Sequence, residues 1–596
     1  MKTSYIILLL GFLVISVSRI SAKDYYIDPA KGNDRNTGTQ RAKPWKTFAP
    51  AGGIMFRAGD RLRIVAPGRF DHSLMLRASG TAEKPVVVDF APGRYDFYGT
   101  HAYKTRLHIT NTNDVPHGLK AIALYIHQSK HVLIKAENAR LVMHGKMIET
   151  CIDYSANITL QGIRYDYHTP TVSEFKVASL QANQAELLIN RHSGYSIADS
   201  VVIWKGEGWQ HKNGWYWQEF NPADGYLTRT SLSMDKVRFA EAGQTEDGTR
   251  KIRAYFPSNP GFKQGYIYQT RDVTRDCTGI FMQRSKDILL KNIRIYFMHG
   301  MGIVSQYCEN ITMDGVVVKP DEKKGTTCAA WADILHFAGC RGQIEIRNSY
   351  LSAANDDAVN VHGVHLRIMG QPAPNQLKLR FMHDQTYGFN PYAPGDSIAL
   401  IRGSSLLAFG ENVVTSSEML NDREVLLTLK SAVTENLKAD DAVENVTWTP
   451  RLWIHHTTIT SIPTRGILAT TRRKVVIADN SFLRTASQAV LVEDDAQGWY
   501  ESGLVKDMTI RNNQFIRCGG PVIYIHPENK QYEGPVHENI RVTGNHFVLD
   551  GGKALVARSV RGITFSNNSL QVADGSRPEA FSQYENCTAV KEENNR

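Results

Sequence analysis

A short block recurs along this chain and constrains its fold more than any other feature. An Asn or Asp opens it, apolar and polar residues then alternate, and an Asn or Gly precedes a last apolar residue. It reads NITLQGI at Asn157–Ile163, DILLKNI at Asp287–Ile293 and NITMDGV at Asn310–Val316. Further copies are QIEIRNSY (Gln343–Tyr350), KVVIADNSF (Lys474–Phe482), DMTIRNNQF (Asp507–Phe515), NIRVTGNHF (Asn539–Phe547) and GITFSNNSL (Gly562–Leu570), with a weaker one, RLWIHHTTI, at Arg451–Ile459. From 287 to 343 the copies start 23 and 33 residues apart, and from 474 to 562 they start 33, 32 and 23 apart.

Alternation of this kind is a strand with one buried face. The closing Asn or Gly suits a turn that needs a left-handed residue. A period of 23 residues leaves no room for a strand–helix–strand crossover. Short strands at a near-constant period predict a right-handed parallel β-helix, an all-β solenoid. A second strand set lies between the blocks: GIFM (Gly279–Met282), GIVS (Gly302–Ser305), DILH (Asp333–His336), AVNVH (Ala358–His362), GILA (Gly466–Ala469), AVLV (Ala489–Val492) and VIYI (Val522–Ile525). Equivalent strands of successive coils would lie about 4.8 Å apart.

Two stretches lack the block and interrupt the solenoid. Both hold runs suited to antiparallel strands, such as Ala185–Ile189 (AELLI) and Val425–Leu429 (VLLTL). They are read as two small β-barrel-like inserts. The predicted division is a signal peptide (1–22), N-terminal coils with a cap (23–169), a first insert (170–275), central coils (276–365), a second insert (366–450) and C-terminal coils (451–596). The first insert carries Trp204, Trp209, Trp215 and Trp217, expected to serve partly in its core and partly as sugar-stacking faces.

The signal peptide rests on Lys2, the apolar run Tyr5–Val17 and the small residues ending at Ala22. That run is short for a membrane span, and no Cys follows it to mark a lipoprotein. The mature chain is thus expected to be exported, to the periplasm or beyond, with no membrane span. Its charge is mild: 69 Lys and Arg against 59 Asp and Glu, interspersed. A nucleic-acid partner would want a clustered basic face, so none is expected. Seven Cys, with no CxxC and no zinc spacing, read as small buried hydrophobes with at most an occasional disulfide.

The chemistry points to two neighbouring coils. WADILH (Trp331–His336) and NDDAVNVHG (Asn355–Gly363) place Asp333 and Asp356 23 residues apart, one short coil, with Asp357 beside them. Carboxylates this close cannot all ionise freely, so at least one should hold its proton. A protonated acid beside ionised carboxylates suits glycoside hydrolysis, in which one group protonates the departing oxygen and another activates water. Asp356 and Asp357 would face opposite sides of a regular strand, so a bend at the strand entrance must present both. Candidates for touching substrate are Asn355, His336, His362, Trp331 and Glu493. The run Glu493-Asp494-Asp495 reads mainly as a solvated turn. No GxSxG, phosphate-binding loop or HExxH occurs, and no metal or cofactor is implied.

Asp356-Asp357-Ala-Val-Asn-Val, with Asp333 a coil earlier, resembles glycoside hydrolase family 28, the polygalacturonases. The secretory start, YYIDP, the two inserts and AANDDAVNVHG together are more similar to glycoside hydrolase family 110, the exo-acting α-1,3-galactosidases, particularly its Bacteroides members. That resemblance covers nearly all the mature chain. It implies inverting hydrolysis of terminal α-1,3-linked galactose, as in blood group B and linear Galα1,3Gal glycans. Asp356 would be the general acid, and Asp333 and Asp357 would deprotonate water. Two readings stay open beside it: a polygalacturonase-like hydrolase or lyase on acidic polysaccharide, and a non-catalytic glycan-binding solenoid. Self-association into a homo-oligomer is also left open.

Overall fold

The computed structural model describes residues 21–112, 118–212, 214, 216–272, 274–576 and 580–596. The signal-peptide reading, save for its last two residues, and Trp215 lie outside the described residues. Among these residues no helix is long and apolar enough to cross a membrane, and the only helices are two short 3-10 turns.

The recurring block forms one continuous parallel sheet. Its register runs Val132–Ile158–Ile288–Ile311–Ile344–Leu452 through one half and Val475–Met508–Ile540–Ile563 through the other. All ten residues are buried, because period-two alternation turns every second side chain to the coil interior. The second strand set stacks likewise, with Ile280–Ile303–Leu335–Val359–Ile467–Val490–Ile523 in register. A third parallel sheet of twelve strands closes each turn of the solenoid.

The Asn or Gly that ends each block sits at a left-handed backbone position: Gly162, Asn292, Gly315, Asn348, Asp479, Asn512, Gly544 and Asn567 all have positive φ. This turns the chain from the first sheet into the third. The next residue is Asn in the C-terminal coils, and there it forms a buried ladder. Asn480 Nδ2 donates to Asn513 Oδ1 (3.0 Å), Asn513 to Asn545 (3.0 Å), Asn545 to Asn568 (3.1 Å) and Asn568 to Asn595 (3.0 Å). Each Oδ1 also accepts the preceding Asn's backbone N–H. Replacing Asn513 with Ala strands the Asn480 amide and the Ile477 carbonyl in a dry interior. At about 1–3 kcal/mol for each orphaned group, the variant is expected to lose about 3–5 kcal/mol, read as a lower urea midpoint. A loss below about 1 kcal/mol would mean that the ladder contributes little.

The inserts have separate cores. The first is a seven-stranded antiparallel sheet with a three-stranded sheet beside it. Trp204, Trp209 and Trp217 are buried in its core, so these three are not exposed sugar platforms. The second insert closes on itself. Val359–Ala373, Gln376–Arg380, Glu424–Leu429, Ala408–Met419, Ser397–Ile401 and Ala442–Asn445 pair in that cyclic order. Val359–Ala373 begins as a solenoid strand and ends as a barrel strand, which ties the barrel to the coil carrying Asp356 and Asp357. All seven cysteines are free, six of them buried.

Candidate active site

The register corrects the sequence spacing. Leu335 pairs with Val359 and Val359 with Ile467. Asp333 therefore lies level with Asp357, not Asp356, and Arg465 continues the column on the next coil. Asn355–Ala358 is a bend before the strand begins, and this bend turns both Asp356 and Asp357 toward one pocket. Oxygens of Asp333, Asp356 and Asp357 lie within 4.8 Å of one another.

Counting its open mouth, the pocket holds about 530 Å³ not filled by protein atoms. Its walls come from distant parts of the chain. Asn111 arrives from the N-terminal coils, Arg275 from the end of the first insert, and Glu493, Asp495, Trp499 and Glu501 from one loop of the C-terminal coils. The second insert buttresses that loop, since His383 lies 4.1 Å from the Trp499 ring.

Three guanidinium groups hold the carboxylates. Arg465 Nη2 stands 2.8 Å from Asp357, and its backbone N–H donates to the other Asp357 oxygen at 3.0 Å. Arg229 of the first insert reaches Asp356 at 2.9 Å, and Arg275 reaches its second oxygen at 3.4 Å. These cations supply the countercharge that a metal ion would otherwise bring. Burial drives Asp333 up to about 7, aided by the Asp356 charge. Burial drives Asp357 to about 7 as well, against Arg465 and with Asp356 and Asp333. Burial also pushes Asp356 up, but Arg229, Arg275, Arg465 and Arg271 together pull it below the usual carboxylate range. Burial thus favours a proton on Asp333 and Asp357 over one on Asp356 at rest.

Of the five guessed contacts, Glu493 lines the pocket, its carboxyl raised to about 8 by burial and the nearby Glu501. The other four lie behind the pocket wall. Trp331 is 1% exposed, covered by the buried Arg271, whose guanidinium sits 4.2 Å from its ring and donates to its carbonyl. Asn355 is buried, and its carbonyl accepts from Gln218 of the first insert at 2.9 Å. His336 and His362 are buried and bond to each other at 3.0 Å. The inserts cover the outer face of these coils, so side chains that point outward from the solenoid do not reach solvent. Asp494 and Asp495 are not a solvated turn either. Both are buried, and Asp495 accepts the backbone N–H groups of Gln497, Gly498, Trp499 and Tyr500, fixing the loop.

Sequence reasoning missed Arg229, Arg275, Arg465, Glu501, Asn360 and Trp499. Arg465 was legible, because it stands just before the GILA strand as Asp357 stands just before VNV. The others depend on contacts between segments far apart in the chain.

The chain is 40% identical to α-1,3-galactosidase A of Akkermansia muciniphila, over 92% of this chain and 91% of that protein. The chain belongs to the α-1,3-galactosidase family, glycoside hydrolase family 110. Two Bacteroides thetaiotaomicron members, α-1,3-galactosidases A and B, are 36% and 33% identical over 87% and 81% of this chain, covering 92% and 80% of those proteins. Residues 376–443 match the family model described as GLAA-B beta-barrel domain II, which falls within the closed six-stranded barrel. The pocket is built on the coils of the solenoid and not inside either insert.

Proposed function

We propose that this protein is an exported exo-glycosidase that removes terminal α-1,3-linked galactose from glycans such as blood group B structures or linear Galα1,3Gal. The observation that carries the reading is the three-carboxylate cluster, held by guanidinium groups at the base of a single pocket in a member of this family. A pocket bounded by segments on several sides takes a chain end, not the middle of a polymer. Trp499, 44% exposed at the pocket, offers an apolar face to the leaving sugar.

Six carboxyl groups line the pocket against two Arg. This favours a neutral galactoside over a uronate polymer, which would want the opposite balance. A purely binding solenoid has no use for clustered carboxyls that hold protons to about pH 7.

Asp356 is the proposed proton donor, and Asp333 and Asp357 the groups that deprotonate water. Asp356 is the most exposed of the three, its side chain 14% accessible against 5% and 2%. A sugar that displaces Arg229, whose own side chain is 45% exposed, removes the strongest of the cations that keep Asp356 ionised. A proton can then pass to it from a neighbour. Inversion is carried over from the resemblance. Oxygens of the three carboxyls lie within 4.8 Å of one another, short of the roughly 6.5–9.5 Å usual for inversion and nearer the roughly 5–5.5 Å of retention, so the anomer released first decides between the two. Proton NMR of the reaction with Galα1,3Gal is expected to show β-galactose first. α-Galactose first would replace inversion with a double displacement. No release from either Galα1,3Gal or the B trisaccharide would overturn the proposed function.

A further inference from the structure

A string of three buried side chains and the half-buried Glu501 runs from the carboxylate cluster to the far wall of the pocket. Asp333 Oδ2 is 2.9 Å from His336 Nδ1, His336 Nε2 is 3.0 Å from His362 Nε2, and His362 Nε2 is 3.5 Å from Glu501 Oε1. At the near end, His362 Nδ1 lies 2.6 Å from the Gly363 carbonyl.

Hydrogen-bond accounting fixes the protons. A carbonyl only accepts, so His362 carries a proton on Nδ1. If His362 is neutral, its Nε2 is a bare acceptor and His336 must donate from its own Nε2. If His336 is also neutral, its Nδ1 is bare, and the bond to Asp333 forms only when Asp333 carries a proton. With both imidazoles neutral, the chain of contacts places a proton on Asp333. Burial keeps His336 neutral, its pKa down to about 3.

We infer that Asp333, His336, His362 and Glu501 form a proton relay that turns Asp333 from a carboxylic acid into the base the reaction needs. The inference rests on the hydrolytic reading of the pocket. The Asp333 O–H proton moves to His336 Nδ1, and the His336 Nε2 proton moves to His362 Nε2. No proton is gained or lost. Asp333 is left ionised beside the attacking water, His336 is neutral in its other tautomer, and His362 is an imidazolium beside the Glu501 carboxylate. After the proton of the water arrives on Asp333 and passes to the acid, the string returns by the reverse moves.

The second wall of the pocket is built for this. Glu501 accepts from Asn111 Nδ2 at 2.8 Å and from Asn360 Nδ2 at 3.4 Å. Burial pushes its carboxyl up; positive charge arriving on His362, with the two amide bonds, pulls it down. The other charged groups facing the string are Arg275, Arg465 and Asp356 near Asp333, and Glu493 and His383 near Glu501. Glu501 is a positioning and countercharge residue in this scheme.

The test is the Glu501→Gln variant, which keeps the Asn111 bond through its one carbonyl oxygen and loses the countercharge. The relay predicts that the acid limb of kcat/KM against pH moves alkaline by about one unit, because Asp333 must then lose its proton to solvent. Direct electrostatics predicts the opposite, since removing a nearby negative charge eases Asp333 ionisation. An acid shift, or a uniform loss with an unmoved limb, would overturn the relay. Glu501→Asp should restore the wild-type limb. An arm independent of turnover uses 15N-histidine NMR of the free protein, assigned with His336→Gln and His362→Gln. His362 is expected to be protonated at Nδ1, with an Nε2 shift between neutral and imidazolium values that collapses to neutral in Glu501→Gln. A bare His362 Nδ1, or an Nε2 shift unchanged in Glu501→Gln, would sink the relay even if the galactosidase reading stands. A wild type inactive on galactosides with these NMR signatures intact would sink the galactosidase reading alone.

Discussion

Asp356→Asn lowers kcat on Galα1,3Gal by about 10³-fold, inside the 10²–10⁴ range of general acid catalysis, yet leaves p-nitrophenyl α-galactoside within about tenfold of the wild type. The contrast follows from the leaving groups. A sugar alkoxide cannot depart without a proton, whereas nitrophenolate can. Asn preserves the shape of the side chain and, through its one oxygen, the closer Arg229 contact, so the pocket stays largely intact while the proton is lost. Equal losses on both substrates would show that Asp356 does not donate the proton. The role would then pass to Asp333 or Asp357, which hold protons in the resting protein. The outcome also bears on Arg229. If Asp356 is the donor, the guanidinium that keeps it ionised at rest must yield when the sugar binds. Arg229→Met should then lower discrimination between galactosides more than it lowers turnover.

Asp333→Asn makes the protein more stable at pH 8 and abolishes hydrolysis. In the folded state Asp333 gives up its proton near pH 7, against an ordinary value of 3.8. Between those values the folded protein holds a proton that the unfolded chain has lost. Stability therefore falls as pH rises through about 4 to 7, and the deficit is complete above the folded value. Asn carries no charge at any pH, and its amide donates to His336 Nδ1 as the protonated carboxyl does. The expected gain is of order 2–4 kcal/mol at pH 8, shrinking toward pH 5. Unfolding midpoints of both proteins measured across that range test it. A gap that does not change with pH, or a variant less stable at pH 8, would mean that Asp333 is not held protonated. The trade has a plain cause: a site that must ionise a buried acid during turnover is less stable than one that never has to.

Much of this protein is written locally. The alternating block, its closing Asn or Gly and its period determine stacked parallel strands, because each coil is a short-range problem of alternation and a left-handed turn. The NDD bend and the WADILH run mark the reacting cluster, and the family is legible from the same residues. The positions of Trp331, Asn355, His336 and His362 were not legible as such. Alternation says that a side chain points out of the solenoid, but only the inserts decide whether outside means solvent, pocket or a second core. Arg229, Arg275 and Glu501 reach the site from strands and loops that pairing brings together across 81 to 141 residues. Register, set by how whole coils stack, placed Asp333 level with Asp357 and not Asp356. The sequence by itself thus determined the scaffold and the carboxylate cluster proposed to react. The tertiary structure alone decided which of those acids keeps its proton, because that depends on charges and burial contributed by distant segments.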